Sequence, residues 1–158
     1  MGLAIALALH IVAIVLWIGG VAMVTTVLLP AVRRFKSAEE RVAFFERVER
    51  RFAWQARGTT VLAGASGFYM VDRLDLWSAF SALDYWWLDA MALLWLVFTL
   101  MLFVAEPLFL DRWFEEQARQ APERTFALIE RLHWVLLALS LATIFGAVAA
   151  IHGVSLVR

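Results

Sequence analysis

Three imidazoles, His10, His133 and His152, carry most of the chemistry open to this chain of 158 residues, which contains no cysteine. That composition removes thiolate metal ligands, iron–sulfur clusters, disulfides and thiol redox chemistry. His10 and His152 fall near corresponding ends of the first and last long apolar stretches, at depths that agree within about a turn if each stretch crosses a hydrocarbon core in about 20 residues. Two imidazoles on facing helices are the usual grip of a helical bundle on a b-type haem, since neutral nitrogen suits iron and the porphyrin slots between helices. The same pair, with Asp89 as an oxygen ligand, suits copper. His133 lies at the other end of the last stretch, about 28 Å from His152 at about 1.5 Å per residue, and cannot share its site.

Other residues fit a cofactor held by that pair. Asp89, one turn into the third apolar stretch, can accept the ring N–H of a ligating histidine and fix its tautomer. Trp17 follows His10 by seven residues on the same helical face and, like Trp95, offers a deep ring for packing. Arg57 is a counter-charge for haem propionates, with Glu106 or His133 as alternative partners. Each has a plainer reading. An acid near a helix N-terminus is favoured by the dipole, an arginine near a membrane face snorkels, and a histidine within a turn of the headgroups bonds water or lipid. Met70 and Met91 offer copper a thioether, although methionine in an apolar helix ordinarily packs. No nucleophile–base set, phosphate loop or paired-carboxylate arrangement is present, which speaks against a hydrolase or an NTPase.

The elements that must position these residues follow from hydropathy. The chain is 63% hydrophobic and 14% aromatic, with a mean hydropathy of +0.78, too apolar for a soluble domain and long enough for one small bundle. Four segments reach the length a crossing helix needs: Leu3–Leu29, Phe52–Val71, Tyr85–Ala105 and Leu132–His152. The first is uncharged throughout and has no basic residue before it, so it reads as a retained helix rather than a signal peptide. Of 14 Lys and Arg residues, eight lie between 31 and 57 and four between 107 and 131, which assigns those two segments to the cytoplasm and both termini to the opposite side. Asp72, Asp75, Asp84 and Asp89 gather on that outer side. Nucleic-acid binding has no support.

Local signals set the boundaries. Pro30 ends the first helix, and Arg33, Arg34 and Lys36 anchor it at the cytoplasmic headgroups. Ser37-Ala38-Glu39-Glu40 matches a capping box, and the helix it opens carries Phe45, Val48 and Phe52 at helical spacing. This amphipathic segment either lies on the membrane surface or runs straight into the second span. Within that span, Thr60 with Gly64 and Ala63 with Gly67 give small residues four apart, which admit a close neighbour or the wall of a planar cofactor. Asp84 is placed to cap the third helix, Tyr85, Trp86 and Trp87 form an interfacial belt, and Glu106-Pro107 closes the helix. Pro122 and Glu123 open a helix leading through Trp134 into the last span.

The stretch Leu9-His10-Ile11-Val12-Ala13-Ile14-Val15-Leu16-Trp17-Ile18-Gly19-Gly20, closing with Leu29-Pro30, resembles the first helix of the copper-resistance protein D-like (CopD-like) membrane proteins. It also resembles the opening of the HemJ-type protoporphyrinogen oxidases, small haem-binding bundles with a histidine in that position. The first resemblance implies copper or a haem-like group, the second haem b and porphyrinogen oxidation, both through His10. The expectation is an all-α integral membrane four-helix bundle, one domain over 1–158, with a cytoplasmic amphipathic extension between helices one and two, in a bacterial inner membrane. Its expected function is haem b binding by His10 and His152 for electron transfer or another redox task. A copper-handling protein and a non-catalytic scaffold docking through residues 31–57 are the alternatives. The lipid bilayer, a redox partner protein and a second copy of the chain are the expected partners.

Overall fold

Long uncharged runs wind into helices because, away from water, each backbone N–H and C=O must find its partner within the segment. The computed structural model describes residues 1–34, 37–80 and 82–153, and these form helices and turns with no strand among them. Lys36 of the basic anchor and residues 154–158 lie outside that set. Helix α1 covers Gly2–Val32, α2 Ala38–Arg73, α3 Leu83–Leu110, α4 Asp111–Gln120 and α5 Pro122–Ile151. Of these, α1, α3 and α5 are long and apolar enough to cross a membrane. Only 17% of the most apolar stretch of α3 is buried, so Leu93, Leu96 and Val97 face outward and need a non-aqueous neighbour.

The expected second span does not stand alone. Ser37 caps α2, its Oγ accepting the Glu40 N–H at 3.1 Å, and the helix then runs unbroken for 36 residues, about 54 Å. The amphipathic extension and the stretch Phe52–Val71 are therefore one rod, whose apolar half is interrupted by Arg57, Asp72 and Arg73. This half falls short of the apolarity of the other three.

The prolines do not end their helices either. Proline lacks an N–H and its ring collides with the carbonyl four residues back, a conflict that a wider winding relieves. Before Pro30, residues Val24–Leu28 wind as a π-helix, with the Leu29 N–H on the Val24 carbonyl five residues back, and α1 continues to Val32. Around Pro107 the segment Met101–Leu110 does the same, carrying α3 past Glu106 to Leu110. Asp84 caps nothing: it sits in a 3-10 turn, Leu83–Tyr85, and α-helical winding starts at Trp86 without a side-chain cap.

Helix α1 packs antiparallel on α2 along most of its length. The register is fixed by rings seated on glycines and by one side-chain bond: Tyr69 over Gly2, His10 over Gly67, Gln55 Nε2 donating to the Leu16 carbonyl at 3.1 Å, and Phe52 over Gly20. Helix α3 packs on α2 and α5, and α5 on α1. Trp17, Ala63, Phe98 and Leu137, one from each of α1, α2, α3 and α5, meet in a central core. The two basic segments meet at one end, where Phe45, Phe114 and Phe126 form a triangle of rings 5.3, 5.7 and 5.8 Å apart. At the other end Tyr85 and Trp87 come beside Ala150 and Ile151.

Glycines on α2 differ in what they face, which gives a paired test. A Cβ at Gly64 would stand 2.6 Å from the Trp95 indole, whereas nothing lies within 4 Å at Gly58. Gly64→Ala is expected to lower stability in detergent by about 1–3 kcal/mol through overpacking, and Gly58→Ala to raise it by up to about 1 kcal/mol through helix propensity. Equal effects of the two substitutions on the unfolding midpoint would refute the packing described for Trp95.

Candidate functional site

His10 is the one imidazole that reaches across to another helix. Its Nδ1 lies 2.9 Å from the Ala63 carbonyl and 3.1 Å from Ser66 Oγ. A carbonyl only accepts, and Ser66 spends its own proton on the Leu62 carbonyl at 2.6 Å, so Nδ1 carries the proton and Nε2 keeps its lone pair. The ring has room because Gly67 has no side chain; a Cβ there would stand 3.1 Å from His10 Cε1. The same device recurs one turn inward. Gly64 leaves the Thr60 carbonyl open, and the Trp95 Nε1–H donates to it at 2.9 Å. In a helix the side chain at i+4 shields the carbonyl at i, so each small pair seen in the sequence exposes an acceptor as well as a surface.

His152 is placed differently. It stands exposed at the C-terminal end of α5, with Nδ1 on the Val148 carbonyl of its own helix at 2.8 Å. His133 likewise bonds its own helix, at the Ile129 carbonyl, 2.9 Å away. Among the described residues no group of three or more His, Asp or Glu could hold a metal ion, so His10, His152 and Asp89 do not form one. Asp89 lies half-buried in the first α-helical turn after Trp86 in α3, and the Nδ1 proton of His10 goes to the Ala63 carbonyl. Trp17 is buried, its ring edge-on to Phe98 at 4.8 Å, while Trp95 stands edge-on to Phe68 at 5.3 Å. Met91 packs against Val71 and Leu88, the plain role for methionine.

Arg57 takes the Glu106 partner that the sequence offered. Its Nη2 pairs with Glu106 Oε1 at 2.9 Å and its Nε donates to the Leu102 carbonyl at 3.1 Å. The second bond has a backbone cause. In π winding the N–H of residue 107 would serve the carbonyl five back, which is Leu102, and Pro107 has none to give. The guanidinium supplies the missing donor. Ser66, Thr60 and Leu102 were not evident from sequence as partners, yet glycine four after Thr60 and Ala63, and proline five after Leu102, are the signals that find them.

The cavity described at the end away from the basic segments is lined by Asp84, Tyr85, Trp87, Ala150 and Ile151, about 310 Å³ in volume, and none of the histidines borders it. Comparison with protein-family models, with curated proteins and with solved structures finds no match. The His10 donor set fits a haem iron or another metal in one respect. A ring N–H given to a backbone carbonyl is the usual support of a ligating histidine, because it fixes the tautomer and raises the basicity of the other nitrogen.

The Arg57 assignment predicts a rescue. Arg57→Met is expected to cost about 2 kcal/mol in detergent unfolding, below the value for a fully buried pair because both partners retain some exposure. Pro107→Ala, which returns a backbone donor, should recover part of that loss in the Arg57→Met background and bring less benefit to the wild type. Identical effects of Pro107→Ala in both backgrounds would break the link between the proline and the guanidinium.

Proposed function

We propose that this protein crosses a bacterial cytoplasmic membrane four times and holds a b-type haem through His10, for electron transfer or a related redox task. The observation that carries the cofactor reading is the cross-helix tie of Nδ1 to Ala63, which leaves Nε2 of a neutral imidazole as a ligand within the bundle. When bound, the haem supplies a one-electron carrier. The chain's own residues hold the ligand: the Ala63 carbonyl and Ser66 hydroxyl keep the proton on Nδ1, and Gly67 leaves space for the ring. Polar residues inside apolar helices are costly and mark function, which favours a ligand over a spectator for His10.

The fourth crossing is supported by register. A helix that lies along α1 from Gly2 to Gly20 shares its depth, so the Phe52–Tyr69 part of α2 accompanies α1 wherever α1 goes. Its polar groups travel paired, Gln55 with Leu16 and Arg57 with Glu106. The basic segments at one end then face the cytoplasm, and both termini face outward.

Purified protein, reconstituted with haem if isolated without it, is expected to show a Soret band that His10→Ala abolishes and His133→Ala leaves in place. A shift with His152→Ala would make that residue the second ligand. No Soret band after reconstitution would remove the haem reading. For topology, the absence of native cysteine allows clean labelling with a membrane-impermeant maleimide. Cysteines introduced at positions 2, 75 and 151 should react from outside intact cells and one at 47 should not; labelling of 2 and 151 from opposite sides would leave three crossings.

A further inference from the structure

Arginines at the basic end fall into two groups. Arg33 pairs with Glu130, Arg41 with Glu123 and Arg57 with Glu106. Arg47, Arg50 and Arg51 of α2 are exposed and have no salt-bridge partner among the described residues. Glu46 and Glu49, on the same turns, are half-buried and lie off the face that Arg47 and Arg51 share. Guanidinium groups displayed in this way suit phosphate, whose oxygens match their paired N–H donors.

The same face continues along α2 into its apolar half. Trp54, Gly58, Val61 and Ala65 follow Arg47 and Arg51 at spacings of three and four residues, which keeps them in one line, and all are exposed. The line is uncovered because the helix spends its other sides on its neighbours: Phe52, Gln55, Ala63 and Gly67 meet α1, and Arg57, Thr60 and Gly64 meet α3. Trp54, 70% exposed, lies under Arg57, whose Cζ is 5.4 Å from the ring centroid. An added Cβ at Gly58 would meet nothing within 4 Å, so the backbone lies bare between the Trp54 and Val61 side chains and forms a trough. From Trp54 to Ala65 is about 16 Å at about 1.5 Å per residue, close to the hydrocarbon depth of one leaflet, about 15 Å. Arg51 and Arg47 stand about 5 and about 10 Å beyond Trp54 along the axis, at the height of that leaflet's phosphates.

We propose that this face of α2 is a binding site for one anionic phospholipid of the leaflet at the basic end. The phosphate sits on Arg47 and Arg51 with Arg50 beside them, the glycerol backbone meets the Trp54 indole, and one acyl chain lies along Gly58, Val61 and Ala65. Charge complementarity selects this occupant, since three cations above a trough of acyl-chain length call for a tail with a negative head. A second copy of the chain, packed on this face about a two-fold axis along the membrane normal, would set its arginines against these. The site rests on the crossing of α2 proposed above and is independent of any haem.

Native mass spectrometry of the purified chain in detergent counts bound lipids one at a time. The first phosphatidylglycerol is expected to bind about tenfold more tightly than phosphatidylcholine, and Arg47→Gln with Arg51→Gln should remove that preference. Arg34→Gln with Arg131→Gln takes the same charge from other exposed sites and should change the affinity by less than about twofold. Gly58→Leu, whose side chain starts in open space, should weaken phosphatidylglycerol about fivefold without lowering the melting temperature in lipid-free detergent. Glycerol 3-phosphate, a head without a tail, should not compete at the same concentration. Equal effects of the two double substitutions, equal binding of phosphatidylcholine, competition by glycerol 3-phosphate, or a dimer that Gly58→Leu disrupts would each overturn the proposal. Failure of the α2 crossing reads separately: Val61→Cys would then react with the impermeant maleimide in vesicles, whereas it stays unlabelled where the lipid site alone fails.

Discussion

The contact between α1 and α2 is the constraint on which the other elements depend. Helix α2 is too polar to sit among lipids unaided, and α1 is too apolar to sit in water. Side by side, each supplies what the other lacks: α1 covers the small-residue face of α2, and α2 offers α1 the only cross-helix partners its polar atoms have among the described bonds, Ala63 and Ser66 for His10 and Gln55 for the Leu16 carbonyl. Rings seated on glycine fix the register at Gly2, Gly20 and Gly67, where an added Cβ would crowd Tyr69, Phe52 and His10. With that register set, α2 presents an adjoining face, Arg57, Thr60 and Gly64, to Trp95 and Glu106 of α3.

Backbone carbonyls explain why particular polar side chains lie inside. A carbonyl left bare by a glycine four residues on keeps its intrahelical bond and has a lone pair free for a second donor, whereas one stripped by proline must be served from a neighbouring helix. Gly64 opens Thr60 and Trp95 answers; Gly67 opens Ala63 and His10 answers; Pro107 strips Leu102 and Arg57 answers. Each donor is a ring or guanidinium N–H, long enough to cross between helices and rigid enough to hold direction. A ligand role for His10 is compatible with this, because the bond to Ala63 engages Nδ1 and the metal-binding nitrogen is the other one.

Much of the fold was legible in the sequence, and the misreadings have physical causes. The helical character of α1, α3 and α5 followed from uncharged length, the Ser37 cap from its box, and the meeting of the two basic segments from charge asymmetry. The helix ends at Pro30 and Pro107 were misplaced because π winding lets a helix absorb a proline, a choice that depends on tertiary partners such as Arg57. Of the two courses open to the amphipathic segment, the chain takes the direct one into the second apolar stretch, because no glycine or proline separates Phe45 from Phe52 and the helix capped at Ser37 propagates. For the candidate site, depth matched His10 to His152, but depth leaves the rotation about each helix axis open. Gly67 turned His10 toward α2, while His152, followed by Gly153 at a φ of 80°, closed on its own last turn.

Ion pairing is unequal along the molecule, and the inequality tells what holds each end. Arg33–Glu130, at 2.9 Å, has side chains 44% and 22% exposed, and Glu123 of the Arg41–Glu123 pair is 72% exposed. Pairs so wet contribute little and fade with salt. The basic end is therefore held by its apolar cluster, where Val42, Phe45, Ala118 and Phe126 are buried against the last turns of α1. Burying one phenylalanine contributes about 2–3 kcal/mol, so the ring triangle outweighs both exposed pairs together. Arg57–Glu106 differs in kind: it is drier, it repairs a carbonyl the backbone cannot serve, and the loss of one partner would leave the other charge unpaired between helices. Charge at the exposed end does little to hold it together, whereas charge in the interior sets which helices can be neighbours at all.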